Sequence, residues 1–199
     1  MMCDVRSGWL CHHFFHGTMT HLEPKDIHAA LSLLNDKLAA REMQGELCLF
    51  GGAVMALVYD ARQSTRDVDA IMVPKSELMA AANEVAEEMQ LPASWLNDGV
   101  KGYVSAQPEL TSEGLPKFSH LRLFCPTPAY LLAMKCLAAR SDALDHSGDK
   151  ADVQVLCRHL GLMSAEQVIE IVQRFYPADR LPVKTQYFII EAVEELAQP

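Results

Sequence analysis

The sequence predicts an α/β (α+β) protein in which short apolar strands alternate with helices and the C-terminal part is helical. Two observations support this class. The stretch 46–74 runs from a short apolar segment, through a pair of glycines, to a second segment of β character. Apolar residues recur at helical spacing in 22–43, in 76–89 and in several segments after residue 126. We therefore expect a core over residues 19–125 and a helical part over residues 126–199 that packs on it.

Residues 1–18 differ in composition from the rest of the chain. They contain Cys3, Cys11, His12, His13 and His16, but the spacing matches no zinc-site pattern. They also lack the sustained apolar core of a signal peptide. We predict a disordered tail here, with a true start at Met19 as a hypothesis.

The central feature of the sequence is a glycine pair that follows an apolar run. Leu47 to Phe50 is compatible with a buried strand, and Gly51 and Gly52 end it. Adjacent glycines adopt backbone angles that other residues resist, and a helix is predicted over residues 53–59. A glycine pair that opens a helix exposes backbone N–H groups suited to a phosphate. A tight strand–helix corner without a ligand is the alternative interpretation.

Two aspartates, Asp67 and Asp69, follow this corner in a segment of β character. Residues two apart on a strand point to the same face, so the two carboxylates should lie side by side while Val68 faces the core. Two like charges held together are unfavourable unless a cation or a basic group lies between them. Carboxylates are the ligands that Mg²⁺ prefers, which predicts a metal site. The alternative is two exposed acids on an edge strand, paired with Arg62 or Arg66.

The order and spacing of these residues resemble a motif of the DNA polymerase β-like nucleotidyltransferase superfamily. The residues that carry the resemblance are Gly51-Gly52, a short helix, Arg62, Thr65 and Asp67-x-Asp69. The local form is most similar to small bacterial proteins that include the abortive-infection-type nucleotidyltransferase toxins and their uncharacterised relatives. The core motif covers about 25 residues, with looser similarity to about residue 160.

The resemblance implies a nucleotidyltransferase fold, with a small mixed β-sheet flanked by helices, and transfer of a nucleoside monophosphate from a nucleoside triphosphate such as ATP. Asp67 and Asp69 would hold Mg²⁺ or Mn²⁺. Gly51 and Gly52 would hold the triphosphate, with contacts from Arg62 and from Ser64 or Thr65. The acceptor stays open between a transfer RNA, a protein hydroxyl and a small molecule. A cognate antitoxin or a second copy of the chain is a candidate partner.

Two later residues complete the predicted site. Lys135 lies in a helix, predicted over 129–140, that is apolar nearly all round, so it must reach solvent or find an anion. The toxin-like relatives carry an active-site lysine in a comparable helix, followed by an Asp-x-x-Asp. Asp152 is therefore expected to position Lys135 or to accept a proton from the acceptor, whereas Asp149 occupies a predicted helix-cap position.

A third catalytic carboxylate, which many members of the superfamily carry on a later strand, is missing from the predicted strand 118–125. This absence motivates the first of two alternatives to an active enzyme. The first is a non-catalytic member of the fold that binds a nucleotide, an RNA or a protein. The second is a structural partner subunit of a toxin–antitoxin-like pair. The long loop over 91–117 either lines an acceptor pocket or is irregular packing.

The composition is typical of a globular protein, since half of the 199 residues are hydrophobic and 22% are charged. The net charge of −9 argues against a protein held to nucleic acid by its overall charge. No apolar run approaches the roughly 20 residues that span a bilayer, so no membrane association is expected.

The six cysteines form no C-x-x-C pair. We interpret them as reduced core thiols, which predicts a cytoplasmic protein.

Overall fold

The computed structural model of the chain describes residues 21–139, 148–178 and 181–196. These residues form a five-stranded mixed sheet with α-helices packed around it, which confirms the α/β class. The strands are β1 (Gly45–Leu49), β2 (Val68–Val73), β3 (Leu96–Asn97), β4 (Leu110–Thr111) and β5 (Leu121–Pro126). The helices are α1 (Pro24–Ala39), α2 (Gly51–Leu57), α3 (Lys75–Met89), α4 (Pro128–Ala138), α5 (Asp149–Leu160), α6 (Ala165–Phe175) and α7 (Val183–Leu196). The predicted tail, residues 1–18, lies outside the described residues.

The sheet has the order β3-β2-β1-β5-β4. β1 is antiparallel to β2 and parallel to β5, while β3 runs parallel to β2 and β4 antiparallel to β5. β2 therefore has a neighbour on both sides where it carries Asp69, because β3 pairs with Val68 and Asp69. The alternative prediction of acids on an edge strand is wrong for this reason.

The β1–α2 corner lies directly beside the start of β2. Leu49 pairs with Ala70, and the Phe50 N–H donates to the Asp69 carbonyl oxygen at 2.9 Å. The helix begins at Gly51 rather than at the predicted Ala53, and the left-handed φ of 61° at Gly51 turns the chain sharply after the strand. This register brings the glycine corner against the aspartate pair.

The helices pack with their apolar faces on the sheet and on one another. α1 packs against α3, whereas α4 contacts α5, α6 and α7 as well as β5. α1 ends at Ala39, before the predicted position 43, because Glu42 takes a left-handed φ of 53° and the Met43 N–H turns back to the Leu38 carbonyl oxygen. The C-terminal helices thus form one layer that rests on α4.

The predicted helix ends are partly confirmed. Gly161 caps α5 in the left-handed conformation, and Ser164 caps α6 in a capping box with Gln167. Thr127 is the N-cap residue of α4, but its side chain makes no capping hydrogen bond. Asp149 is the first residue of α5 rather than its cap, because Gly148 occupies the cap position.

The four cysteines in the described ranges, Cys48, Cys125, Cys136 and Cys157, are buried free thiols. Burial raises the pKa of Cys48 to about 12 and that of Cys125 to about 11, so these thiols stay protonated and unreactive at neutral pH.

None of the helices in the described ranges combines the length and apolarity that a membrane crossing requires.

The difference between the two predicted caps leads to a stability test. Replacing Ser164 by Ala removes the side-chain acceptor of the Gln167 N–H, so Ser164→Ala should lower the free energy of unfolding by about 1 kcal/mol. Thr127→Ala is the control and should cost less than about 0.5 kcal/mol, because no capping bond is lost. Urea denaturation measures both. Equal losses in the two variants would contradict the assigned cap geometry.

Candidate functional site

The predicted site residues meet at one cavity of about 830 Å³ between the sheet and the C-terminal helices. The β1–α2 corner, the loop before β2, a 3-10 helix over Gly99–Tyr103, α4 and the start of α5 all contribute to its wall. The predicted residues that line it are Gly51, Gly52, Arg62, Ser64, Thr65, Asp67, Asp69 and Lys135. Asp152 does not belong to the described lining and lies behind it.

The acid pair has the predicted orientation. Val68 and Ala70 are fully buried on one face of β2, whereas Asp67 and Asp69 are partly buried and face the cavity. Asp69 lies against the glycine corner, since a Cβ atom on Gly51 would come within 3.0 Å of Asp69 Oδ2. The corner therefore makes room for a carboxylate as well as for a sharp turn.

The electrostatics of the pair favour a cation. Burial raises the pKa of Asp67, and burial together with the charge of Asp67 raises the pKa of Asp69. A hydrogen bond from Asn97 opposes both shifts, the charge of Arg66 opposes the shift of Asp67, and the charge of Lys135 opposes that of Asp69. Neither carboxylate forms an ion pair with a described residue, so part of their charge is uncompensated.

A hard divalent cation fits this donor set, because Mg²⁺ is commonly held by one or two carboxylates together with waters and substrate phosphates. Within the described ranges, no three His, Cys, Asp or Glu side chains are grouped so as to hold a metal. The residues present thus fit a metal ion that is bound partly by the protein and partly by a substrate. They do not resemble a site in which protein side chains supply all the ligands.

Beside the acids lies a charge cluster made of Arg62, Lys135, Asp149 and Asp152. Asp152 is only 1% exposed and lies between the two cations. Arg62 donates to it through Nε at 2.8 Å and Nη2 at 2.6 Å, and Lys135 Nζ lies 2.6 Å from its Oδ2. Asp149 is more exposed and more distant, 3.2 Å from Lys135 Nζ and 3.7 Å from Arg62 Nη2.

The charge cluster decides between the predicted alternatives for Lys135. Its side chain is only 10% exposed and borders the cavity, and Asp149 and Asp152 supply its anions there. Asp152 has the predicted partnership with Lys135. The alternative role, accepting a proton from an acceptor, is disfavoured, because Asp152 is 1% exposed, lies behind the cavity wall and has both carboxylate oxygens bound to Arg62 or Lys135.

Arg62 likewise pairs with the charge cluster and not with the aspartate pair. Burial lowers its pKa, but the hydrogen bond and charge of Asp152 outweigh that effect and raise the pKa overall, so the guanidinium stays charged. Arg62 remains part of the cavity wall. The guanidinium of Arg62 therefore lies at the cavity wall, but its charge is already paired with Asp152.

Thr65 and Gly52 form a packed pair. The Thr65 hydroxyl donates to the Asp67 carbonyl oxygen at 3.1 Å, and the Thr65 backbone exchanges two hydrogen bonds with Leu22. A Cβ atom on Gly52 would lie 2.6 Å from Thr65 Oγ1. The second glycine is thus required by packing against Thr65, whatever its role toward a phosphate.

Sequence reasoning missed Asn97, which donates from Nδ2 to Asp67 Oδ2 at 3.0 Å. The available signal was weak: a polar residue directly after the buried pair Trp95 and Leu96. The loop over 91–117 does border the cavity, through Gly99, Val100 and Tyr103. Val100 and Tyr103, together with Leu131 and Met134 of α4, form an apolar part of the cavity wall, whereas Gly99 lies beside Asp69.

Comparisons of the chain with protein-family models, curated proteins and solved structures found no match.

The buried position of Asp152 leads to a stability prediction. Asp152→Ala leaves Arg62 and Lys135 without their shared anion in a site of low exposure, so it should lower the free energy of unfolding by about 3–5 kcal/mol. Asp149→Ala is the matched control, with a smaller expected loss of about 1–2 kcal/mol. Urea denaturation at neutral pH measures both. Losses of equal size would show that Asp152 is not the central anion.

The contact between Gly52 and Thr65 predicts a second loss of stability. Gly52→Ala forces Thr65 to move and should cost about 1–3 kcal/mol, whereas Gly102→Ala, whose Cβ atom would meet no atom within 4 Å, should cost nothing. Adding Thr65→Ala to the first variant should recover part of the loss, because the nearest atom is removed. Thermal denaturation measures this coupling. Full additivity of the two substitutions would contradict the contact.

Proposed function

We propose that this chain is a Mg²⁺- or Mn²⁺-dependent nucleotidyltransferase that moves a nucleoside monophosphate from a nucleoside triphosphate to an acceptor hydroxyl. The observation that carries the proposal is the convergence of Asp67 and Asp69, the glycine corner and Lys135 on one cavity. These residues come from β2, the start of α2 and α4, so only the tertiary structure brings them together.

The acid pair would hold the metal. Each carboxylate faces the cavity from the same side of β2, and their uncompensated charge favours a divalent cation. A bound Mg²⁺ ion supplies electrostatic stabilisation of the phosphates and of the pyrophosphate leaving group. Gly51 and Gly52 line the cavity beside Asp69 without side chains, so a triphosphate could approach their backbone N–H groups.

Lys135 would contact the same phosphates. Its ammonium group lies close enough to Asp69 for its charge to lower the pKa of that carboxyl. Asp152 holds the lysine from behind, so it is a positioning residue in this proposal. Asp149, at 3.2 Å and on the cavity wall, is the carboxylate that an incoming phosphate would compete with for Lys135.

The apolar part of the cavity wall suits the rest of the substrates. Val100, Tyr103, Leu131 and Met134 offer apolar surface to a base or to the acceptor. Arg66 is exposed at the rim, where it can contact an anionic acceptor such as a transfer RNA. A protein hydroxyl and a small molecule remain acceptor candidates. A toxin-type role with a cognate antitoxin, or assembly with a second copy, belongs to the same proposal.

A non-catalytic function is the second candidate, and two observations favour it. The acids beside the glycine corner are Asp67 and Asp69, whereas the third carboxylate of the cavity wall, Asp149, is paired with Lys135 and forms no three-acid metal group with them among the described residues. Asp152, for which a role as base was one of the two expectations, is bound by two cations. A chain of this kind would bind a nucleotide, an RNA or a partner protein without transfer.

Ligand-dependent stability tests the proposed donor site. Each of the four ribonucleoside triphosphates, with Mg²⁺, is added to the native chain and to Asp67→Ala/Asp69→Ala. A triphosphate at about 100 times its dissociation constant adds roughly 2.7 kcal/mol and raises the melting temperature by several degrees. We expect a shift with at least one nucleotide that requires Mg²⁺ and disappears in the double variant.

The control is Glu87→Ala/Glu170→Ala, which removes two exposed acids and should keep the full shift. A shift that survives Asp67→Ala/Asp69→Ala would place the nucleotide elsewhere and contradict the assigned site. A Mg²⁺-dependent shift without transfer of labelled nucleotide to any acceptor of the native cell extract would favour the non-catalytic function.

A further inference from the structure

Asn97 occupies a fixed place behind the acid pair. β3 runs parallel to β2, and Asn97 is the direct partner of Asp69 in that register. Its strand is anchored by Trp95, which is fully buried and donates from Nε1 to the Ala82 carbonyl oxygen at 3.0 Å. The Asn97 side chain is thus held against the aspartates by a rigid neighbour.

The hydrogen bonds define which way the Asn97 amide points. The backbone N–H of Gly99, which can only donate, lies 2.8 Å from Asn97 Oδ1. The amide nitrogen must therefore be on the other side, where it donates to Asp67 Oδ2 at 3.0 Å. Exchanging oxygen and nitrogen would set two donors against each other at Gly99 and two acceptors against each other at Asp67.

Asp67 is consequently held at two points. The Thr65 hydroxyl binds its main-chain oxygen and the Asn97 amide binds its side chain. With Oδ2 engaged by Asn97, Oδ1 and the free lone pair of Oδ2 remain for a ligand in the cavity. Asn97 itself is not among the described residues that line the cavity, whereas Asp67 is.

We propose that Asn97 is a positioning residue that orients the Asp67 carboxylate toward the cavity for a hard divalent cation. This inference rests on the proposed metal site at Asp67 and Asp69. The residue type matters, because an amide donates to a carboxylate without adding negative charge. A carboxylate at position 97 would place a third negative charge against the pair.

Two substitutions separate the contact of Asn97 with Gly99 from its contact with the acid pair. Ser at position 97 still offers an oxygen to the Gly99 N–H, since Ser and Asn form the same kind of local turn, but its hydroxyl is too short to replace the amide at Asp67. Ala loses both bonds. Asn97→Ser therefore keeps the turn and removes the contact with Asp67, whereas Asn97→Ala removes both.

The test is a titration of three proteins with Mn²⁺ alone: the native chain, Asn97→Ser and Asn97→Ala. The electron paramagnetic resonance signal of free Mn²⁺ measures how much of the ion is bound. Loss of a group that orients a metal ligand commonly weakens metal binding by about 10-fold or more. We expect that weakening in both variants, with the melting temperature of Asn97→Ser close to that of the native chain. Asn83→Ser, a change at an exposed asparagine of α3, is the control and should bind like the native chain.

The outcomes separate this inference from the proposed function. Native affinity for Mn²⁺ in Asn97→Ser, with weakened binding only in Asn97→Ala, would mean that Asn97 acts through the turn, and it would overturn the inference alone. A native chain that binds no Mn²⁺ would overturn the metal site of the proposed function and this inference with it. Weakened binding in both variants at unchanged stability of Asn97→Ser supports the inference.

Discussion

The carboxylate of Asp152 is the contact on which the arrangement of the candidate site depends. It is nearly inaccessible to solvent and joins Arg62, from the loop before β2, to Lys135 of α4. Two buried cations without this anion would carry a desolvation penalty of several kcal/mol. The ion pairs therefore hold the C-terminal helices in a fixed position relative to the sheet, and the cavity lies between the two.

A second constraint is steric and acts at the glycine corner. The space that a side chain would need is taken by the Asp69 carboxylate at Gly51 and by the Thr65 hydroxyl at Gly52. Thr65 in turn supports Asp67 through its main-chain oxygen. The turn, the threonine and the acid pair thus form one packed unit, in which each residue limits what its neighbours can be.

The charges around the cavity are arranged unequally. Arg62 and Lys135 are already paired with carboxylates, whereas Asp67 and Asp69 have no cationic partner among the described residues and carry raised pKa values. The cavity of the free protein therefore attracts a cation more than it attracts a bare anion. A triphosphate fits this balance when it arrives with its metal, which is consistent with the proposed donor.

Local features were predictable from the sequence, because they depend on spacing and short-range geometry. The alternation at Asp67, Val68 and Asp69, the glycine corner and the capping box at Ser164 follow from periods and turns that neighbouring residues define. The packing decided the rest. Arg62 and Asp152 are 90 positions apart, and no local pattern relates them. Asp152 was expected beside Lys135 only through the resemblance, and the amide behind Asp67 was not expected. Both contacts depend on how α5 and β3 dock, since contacts between distant segments are set by the buried surfaces that bring them together.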